Sequence, residues 1–154
     1  MEQSKIVERL GGRDLSSVID SNFLREFGLG MPGQYGMVCG DVGSEIKALE
    51  ELGCTPFIHA KMGAPGWLEQ GEALKVKVEM AMGYNADGQI ELLGEGEGTD
   101  FYRDVIPADG ALTLHHVCCF ENNIDELKQS LPAAGFPLYL EGGVNVGILS
   151  TQFA

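Results

Sequence analysis

A chain of 154 residues with 44% hydrophobic content is long enough for one domain, or for two small modules that share a core. Its 23 acidic against 10 basic side chains, a formal net charge of -13, repel phosphate backbones and leave no basic patch for nucleic acid. No run approaches the ~20 consecutive apolar residues of a membrane helix, and residues 1–20 mix Glu, Lys, Arg and Asp where a signal peptide has an apolar core, so a soluble cytoplasmic protein without a membrane partner is expected.

Residues 1–31 read as an N-terminal helical extension, with Asp14 as a candidate cap, Val18, Ile19, Phe23 and Phe27 at roughly helical spacing, and Gly28, Gly30 and Pro32 as breakers. Gln34 to Cys39 reads as a strand. Ser44 to Leu52 reads as a helix with Ile46, Leu49 and Leu52 inward and Gly53 as its terminator. Thr55 to Ala60 suggests a second strand, whereas Lys61 to Glu72 is Gly-rich and irregular, with Trp67 covering an apolar edge. Ala73 to Met82 alternates strictly, placing Leu74, Val76, Val78, Met80 and Met82 on one face and Lys75, Lys77 and Glu79 on the other. Asn85 to Gly88 has hairpin-turn chemistry, and Gln89 to Gly94 returns with Ile90 and Leu92 on its apolar face and Gln89 and Glu91 on its polar one.

Residues 32–96 thus make a βαβββ module, and residues 97–111 read as a linker carrying an aromatic patch at Phe101 and Tyr102. A second module spans 112–154. Leu112 to Phe120 is its strand, Asn123 and Glu126 suggest a capping box, Ile124, Leu127 and Leu131 point inward, Pro132 is expected to shorten or kink the last turn, and Gly135 ends the helix. The two modules repeat: Gln34, Asp41, Leu49 and Gly53 correspond to His116, Asn123, Leu131 and Gly135 at one offset, 116 minus 34, or 82. The four cysteines, Cys39, Cys54, Cys118 and Cys119, form no CxxC pair and are expected to be reduced.

The strand starts QYGMVCGD (Gln34 to Asp41) and HHVCCFEN (His115 to Asn122), with QIELLGE (Gln89 to Glu95), resemble the vicinal oxygen chelate superfamily, which includes glyoxalase I, methylmalonyl-CoA epimerase, extradiol dioxygenases and bleomycin-resistance proteins. The resemblance covers about residues 34–154. It implies an α+β fold in which two βαβββ modules form a cup-shaped mixed sheet around a divalent metal held by the first and fourth strands of each module. Carried over by position, Gln34, Glu91 and His116 are the implied metal ligands; animal-type glyoxalase I also has Gln where Gln34 stands. The fourth ligand would fall at 91 plus 82, position 173, whereas the chain given stops at Ala154. The second module is therefore expected to lack its last strand, with truncation or a partner subunit as the explanation, and a homodimer is expected from the sheet edge this leaves.

An amide oxygen, a carboxylate and an imidazole suit Zn, Ni, Co, Mn or Fe and leave positions for water or substrate. Such a metal acts as a Lewis acid on substrate oxygens while a proton leaves carbon, so the resemblance implies a glyoxalase-like lyase or isomerase acting on a small oxygenated molecule. The alternative is a metal-free ligand-sequestering protein of the bleomycin-resistance type, and an extradiol dioxygenase is a third reading that would want His at position 34. Strand alternation puts His116, Cys118 and Phe120 on one face and His115, Val117 and Cys119 on the other, so a single histidine is expected to face the site. Lys77, Glu79 and Trp67 are candidates for lining it, and no catalytic base is assigned. Each of these residues also admits a purely structural role: a core histidine, a solvated sheet face, a packed aromatic.

Overall fold

The computed structural model describes residues 20–85, 88–146 and 149–153. Asp14, Val18 and Ile19 of the expected first helix lie outside the described residues, as do Ala86 and Asp87 of the hairpin turn. The described part of the extension holds α1 (Ser21–Glu26), capped by Asp20, whose carboxylate accepts from the backbone N–H groups of Asn22 and Phe23 at 2.8 and 3.2 Å. Phe23 and Phe27 meet Phe136 edge-on, with ring centroids 5.0 and 5.6 Å away, which ties the segment to the second half of the chain.

From there the chain runs through β1 (Gln34–Val38), α2 (Val42–Glu51), β2 (Ile58–Ala64), β3 (Leu68–Glu69), β4 (Glu72–Ala73), β5 (Val76–Asn85), β6 (Gly88–Leu93), a 3-10 turn at Arg103–Val105, β7 (Thr113–Cys118), α3 (Ile124–Ala133), β8 (Leu140–Val146) and β9 (Leu149–Phe153). The fold is α+β, with a five-stranded mixed sheet in the order β2-β5-β6-β1-β7 and a smaller sheet in the order β4-β3-β8-β9. β1 lies between β6, to which it is parallel, and β7, to which it is antiparallel, and all five of its residues are buried.

Gly-rich composition suggested an irregular stretch from Lys61 to Glu72, but β2 continues to Ala64 and a short β3-β4 hairpin follows. The reason is cooperative pairing. β5 is ten residues long and offers β2 a continuous ladder from Met82 to Val76, and those backbone bonds outweigh the poor strand propensity of Gly63.

The internal repeat is most faithful in the helices, because α2 and α3 correspond end to end at the offset of 82: Val42 with Ile124 and Glu51 with Ala133. Both stop in the same way. Gly53 (φ 98°) and Gly135 (φ 93°) turn left-handed, and the next N–H reaches back to the carbonyl of Leu49 at 3.1 Å or of Leu131 at 2.9 Å. Two expectations for the second copy are corrected. Asp41 caps α2 through its side chain, accepting from Ser44 N at 3.0 Å and Ser44 Oγ at 2.8 Å, but Asn123 makes no side-chain bond and the capping box does not form. Nor does Pro132 shorten α3, which runs on to Ala133; so close to the end, its missing N–H removes a single intrahelical bond just before Gly135 stops the helix.

Two clusters of side chains hold the sheet. On one face α2 contributes Val42 and Leu49 against Tyr35, Met37, Cys39, Ala81, Ile90 and Leu92. On the other, Val38, Val78, Met80 and Leu93 lie under Trp67 and Tyr102. Residues 97–111, a linker by composition, form part of this second cover: Tyr102 is buried, Phe101 and Ile106 pack against it, and the segment is fastened by paired backbone bonds between Lys77 and Glu97 (3.0 and 2.8 Å) and by Gly40 N–H to Gly110 O (3.0 Å). All four cysteines are thiols, and burial, reinforced by Glu45, pushes Cys39 up to about 12, which keeps it protonated and unreactive. No helix among the described residues is long and apolar enough to cross a membrane.

Candidate functional site

The register of four adjacent strands lays three rows of side chains across the sheet face opposite α2. The first row is Tyr84, Gln89, Gln34 and Cys118; the second is Met82, Glu91, Gly36 and His116; the third, Met80, Leu93, Val38 and Thr113, is the apolar base. Polar groups are therefore concentrated in two rows at one end of this face, and the buried aromatic cover closes the other.

Gly36 organises the second row. It stands on β1 between Glu91 on β6 and His116 on β7, and a Cβ at this position would come within 2.1 to 2.5 Å of three His116 ring atoms. Without that Cβ the imidazole lies over β1 and spans an entire strand, bringing His116 Nε2 to 3.3 Å from Glu91 Oε2. In the first row Gln34 is 8% exposed, and its Nε2 donates to Gln89 Oε1 at 2.7 Å. Gln89 Nε2 in turn donates to the Tyr84 hydroxyl at 2.7 Å. This chain of amides holds Gln34 by its nitrogen and leaves its Oε1 outside the chain. The structure thus brings Glu91 and His116 together and sets Gln34 one row away.

Strand alternation fails at His115. Pairing passes from Gly36 with His116 to Met37 with Leu114, so His115 is the extra residue of a β-bulge. A bulge resets the side-chain parity, and His115 turns to the same side of the sheet as His116. Its ring packs against Phe101 and Tyr102 (centroids 5.2 and 5.5 Å), and its Nδ1 lies 3.0 Å from His116 Nδ1. The expectation of a single histidine at the site is therefore corrected: two face it. Leu114 and Val117 go to the α2 side.

Burial, and after it the neighbouring His116, pulls His115 down to about 4, so its ring is neutral throughout the physiological range. Burial, with Glu91 as the second cause, also raises Tyr102 and takes the Cys118 thiol up to about 11. Both groups are thus protonated, and the Glu91 carboxylate is the acidic neighbour felt by each.

Of the three residues considered for lining the site, two lie on the other sheet face and the third is buried within the aromatic cover. Lys77 and Glu79 share the parity of Ala81, which packs beneath α2, so they sit on the sheet face opposite Glu91. There Lys77 pairs with Glu97 at 2.9 Å, and Glu79 accepts from Lys61 and meets His59 Nε2, each at 3.0 Å. The alternation of β5 was read correctly, but its polar face is the one beside the helix. Trp67 is on the site side, yet it is 1% exposed and packs against Phe101 and Tyr102 (6.0 and 6.1 Å), supporting the rings that support His115. Gly36, His115 and the Gln89–Tyr84 pair had not been singled out. The adjacent histidines were visible in the chain, but a bulge leaves no local signal, and nothing near Gly36 marks it as the floor beneath a ring contributed from 80 residues away, 116 minus 36.

An imidazole nitrogen and a carboxylate oxygen bound to one divalent ion at ~2.1 Å stand ~3.0 to 3.4 Å apart for right-angle to tetrahedral arrangements. The observed 3.3 Å between His116 Nε2 and Glu91 Oε2 falls within that span. Among the described residues no group of three or more His, Cys, Asp and Glu converges as a complete ligand set. The donor set therefore fits a divalent ion as a pair to which an amide oxygen, water or substrate must add. In comparison with known proteins, the family profile described as glyoxalase/bleomycin resistance protein/dioxygenase superfamily matches residues 33–154. No curated protein matches the chain.

Proposed function

The chain belongs to the glyoxalase/bleomycin resistance protein/dioxygenase superfamily, and on that premise we propose that it is a divalent-metal-dependent lyase or isomerase acting on a small oxygenated molecule. The observation that supports this most directly is the convergence of Glu91 and His116 over Gly36. In this reading the Glu91 carboxylate and His116 Nε2 hold Zn, Ni, Co, Mn or Fe, with the Gln34 amide oxygen as the third donor. A bound divalent ion supplies Lewis-acid polarisation of substrate oxygens. The rest falls to the chain: Gln89 and Tyr84 hold the Gln34 amide, while the Trp67, Phe101 and Tyr102 cover keeps water from the apolar end of the site.

The test is calorimetric titration of the full chain with zinc. One ion per chain is expected, and Glu91→Gln, which keeps an oxygen but loses the charge, should weaken binding by roughly tenfold or more. Absence of zinc binding by the wild-type chain would remove the reading. A metal-free sequestering protein is the second reading, favoured by the charge of -13 and by the lack, among the described residues, of three converging His, Cys, Asp or Glu donors. A cationic aromatic antibiotic titrated into the same sample at low and high salt separates the two: salt-sensitive uptake without zinc binding supports sequestration.

Assembly belongs to the same proposal. Among the described residues β7 pairs with β1 alone, which leaves one edge of the main sheet to be covered. A homodimer that covers it should show twice the chain mass by light scattering, and a stable monomer would refute it.

A further inference from the structure

Across the first row of the site face the hydrogen bonds all run one way. Gln34 Nε2 donates to Gln89 Oε1, and Gln89 Nε2 donates to the Tyr84 hydroxyl, each at 2.7 Å. A hydroxyl that accepts through its oxygen still carries one proton to donate. The group facing Tyr84 is itself an N–H, so the Tyr84 O–H must be spent elsewhere, and no acceptor for it is found among the described residues. Tyr84 pairs with Gln89 as Met82 pairs with Glu91, which puts its ring on the face of the Glu91 carboxylate, two residues or ~7 Å along the strands. Gln34 is buried, whereas Tyr84 is 53% exposed, so the row runs from the interior of the site to its open rim.

Resting on the metal reading above, we propose that Tyr84 is a specificity-determining residue whose O–H donates to a second, uncharged oxygen of the substrate, the first oxygen being the one engaged at Glu91 and His116. The cover of Trp67, Phe101 and Tyr102 closes the far end of this face, so a molecule larger than its reacting group extends over Met82 toward Tyr84. Met82 packs with the apolar cluster and asks for an apolar spacer. A separation of ~7 Å between the two rows suits about two or three methylene groups between the oxygen functions. The charge of -13 disfavours an anionic group at the rim, so the second oxygen belongs to a carbonyl, ether or hydroxyl rather than a carboxylate. Gln89 holds the hydroxyl before the ligand arrives, which reduces the ordering cost of the contact.

Paired hydroxamates titrated calorimetrically into the zinc-loaded full chain make the test. In each pair the hydroxamate oxygens engage the ion. One member ends, two or three methylenes away, in a dimethylamide, which accepts a hydrogen bond but donates none; the other ends in a branched alkyl group of the same size. The ratio of amide-probe to alkyl-probe affinity should be about 3- to 10-fold higher in wild type than in Tyr84→Phe, which keeps the ring and loses the O–H, the worth of one neutral hydrogen bond. Taking the ratio cancels whatever Tyr84 does for Gln34 and the ion. A Tyr84 that only supports Gln34 would therefore weaken both probes alike in the variant and leave the ratio unchanged. An unchanged ratio, or a zinc-loaded chain that takes up neither probe, would overturn this inference alone. No zinc binding at all would overturn the metal reading and this inference with it.

Discussion

Replacing Gly36 by alanine should lower zinc affinity about a hundredfold or more, beyond the loss expected for an outer partner of a ligand, while the chain stays folded. The alanine Cβ would lie 2.1 to 2.5 Å from Cε1, Nε2 and Nδ1 of the His116 ring, closer than non-bonded heavy atoms tolerate, so the ring must leave its place over β1. It can leave, because the His116 side chain is about one-third exposed. Its departure breaks the approach to Glu91 across the strand. The effect on folding should be small by comparison: overpacking costs ~1–3 kcal/mol, offset by the ~0.4–1 kcal/mol that loss of glycine flexibility in the unfolded chain returns. Gly63→Ala on β2, where a Cβ meets nothing within 4 Å, is the matched control and should bind zinc like wild type. If Gly36→Ala titrates like that control, Glu91 and His116 do not form the site together.

Trp67→Ala should cost ~3–5 kcal/mol of stability, the range for emptying a large aromatic site, which is a large share of the ~5–15 kcal/mol that holds a typical domain. Trp67 is among the largest fully buried side chains; it lies against Phe101 and Tyr102 from the 97–111 segment and shares a buried cluster with Val78 and Met80 of the sheet. Its removal therefore loosens the joint between that segment and the sheet as well as leaving a void. Urea denaturation followed by far-UV circular dichroism is the appropriate measurement, since the variant has no tryptophan left to report by fluorescence. Trp67→Phe, which keeps a ring in the cluster, should lose less than half as much. A Trp67→Ala protein as stable as wild type would show that Trp67 is no part of the core and would reopen its candidacy as a ligand contact.

Much of this arrangement was readable from the chain. Strict alternation from Ala73 to Met82 identified most of β5 and its two faces, although the strand begins at Val76 and runs on to Asn85; Gly53 and Gly135, each following an apolar helical stripe, marked helix ends that prove to be left-handed; and the offset of 82 relates α2 to α3 residue for residue. Glu91 was placed on the polar side of its strand because Ile90 and Leu92 flank it, and the structure has it on the face it shares with His116. Such features are legible because they obey local rules: a period of two, a period of 3.6, a residue that tolerates positive φ.

What the sequence determined by itself, then, is most of the elements, β1, α2, β5, β6, β7 and α3 among them, with the repeat and the family resemblance they carry, since helix and strand patterns follow from the preferences of neighbouring residues. Tertiary structure alone decided which face of β5 lies under α2, that Lys77 and Glu79 fall on that side, that a bulge turns His115 toward His116, and that Gly36 is the gap through which His116 reaches Glu91. These depend on register between strands distant in sequence, and register is fixed by the summed burial of whole faces rather than by any residue's own preference.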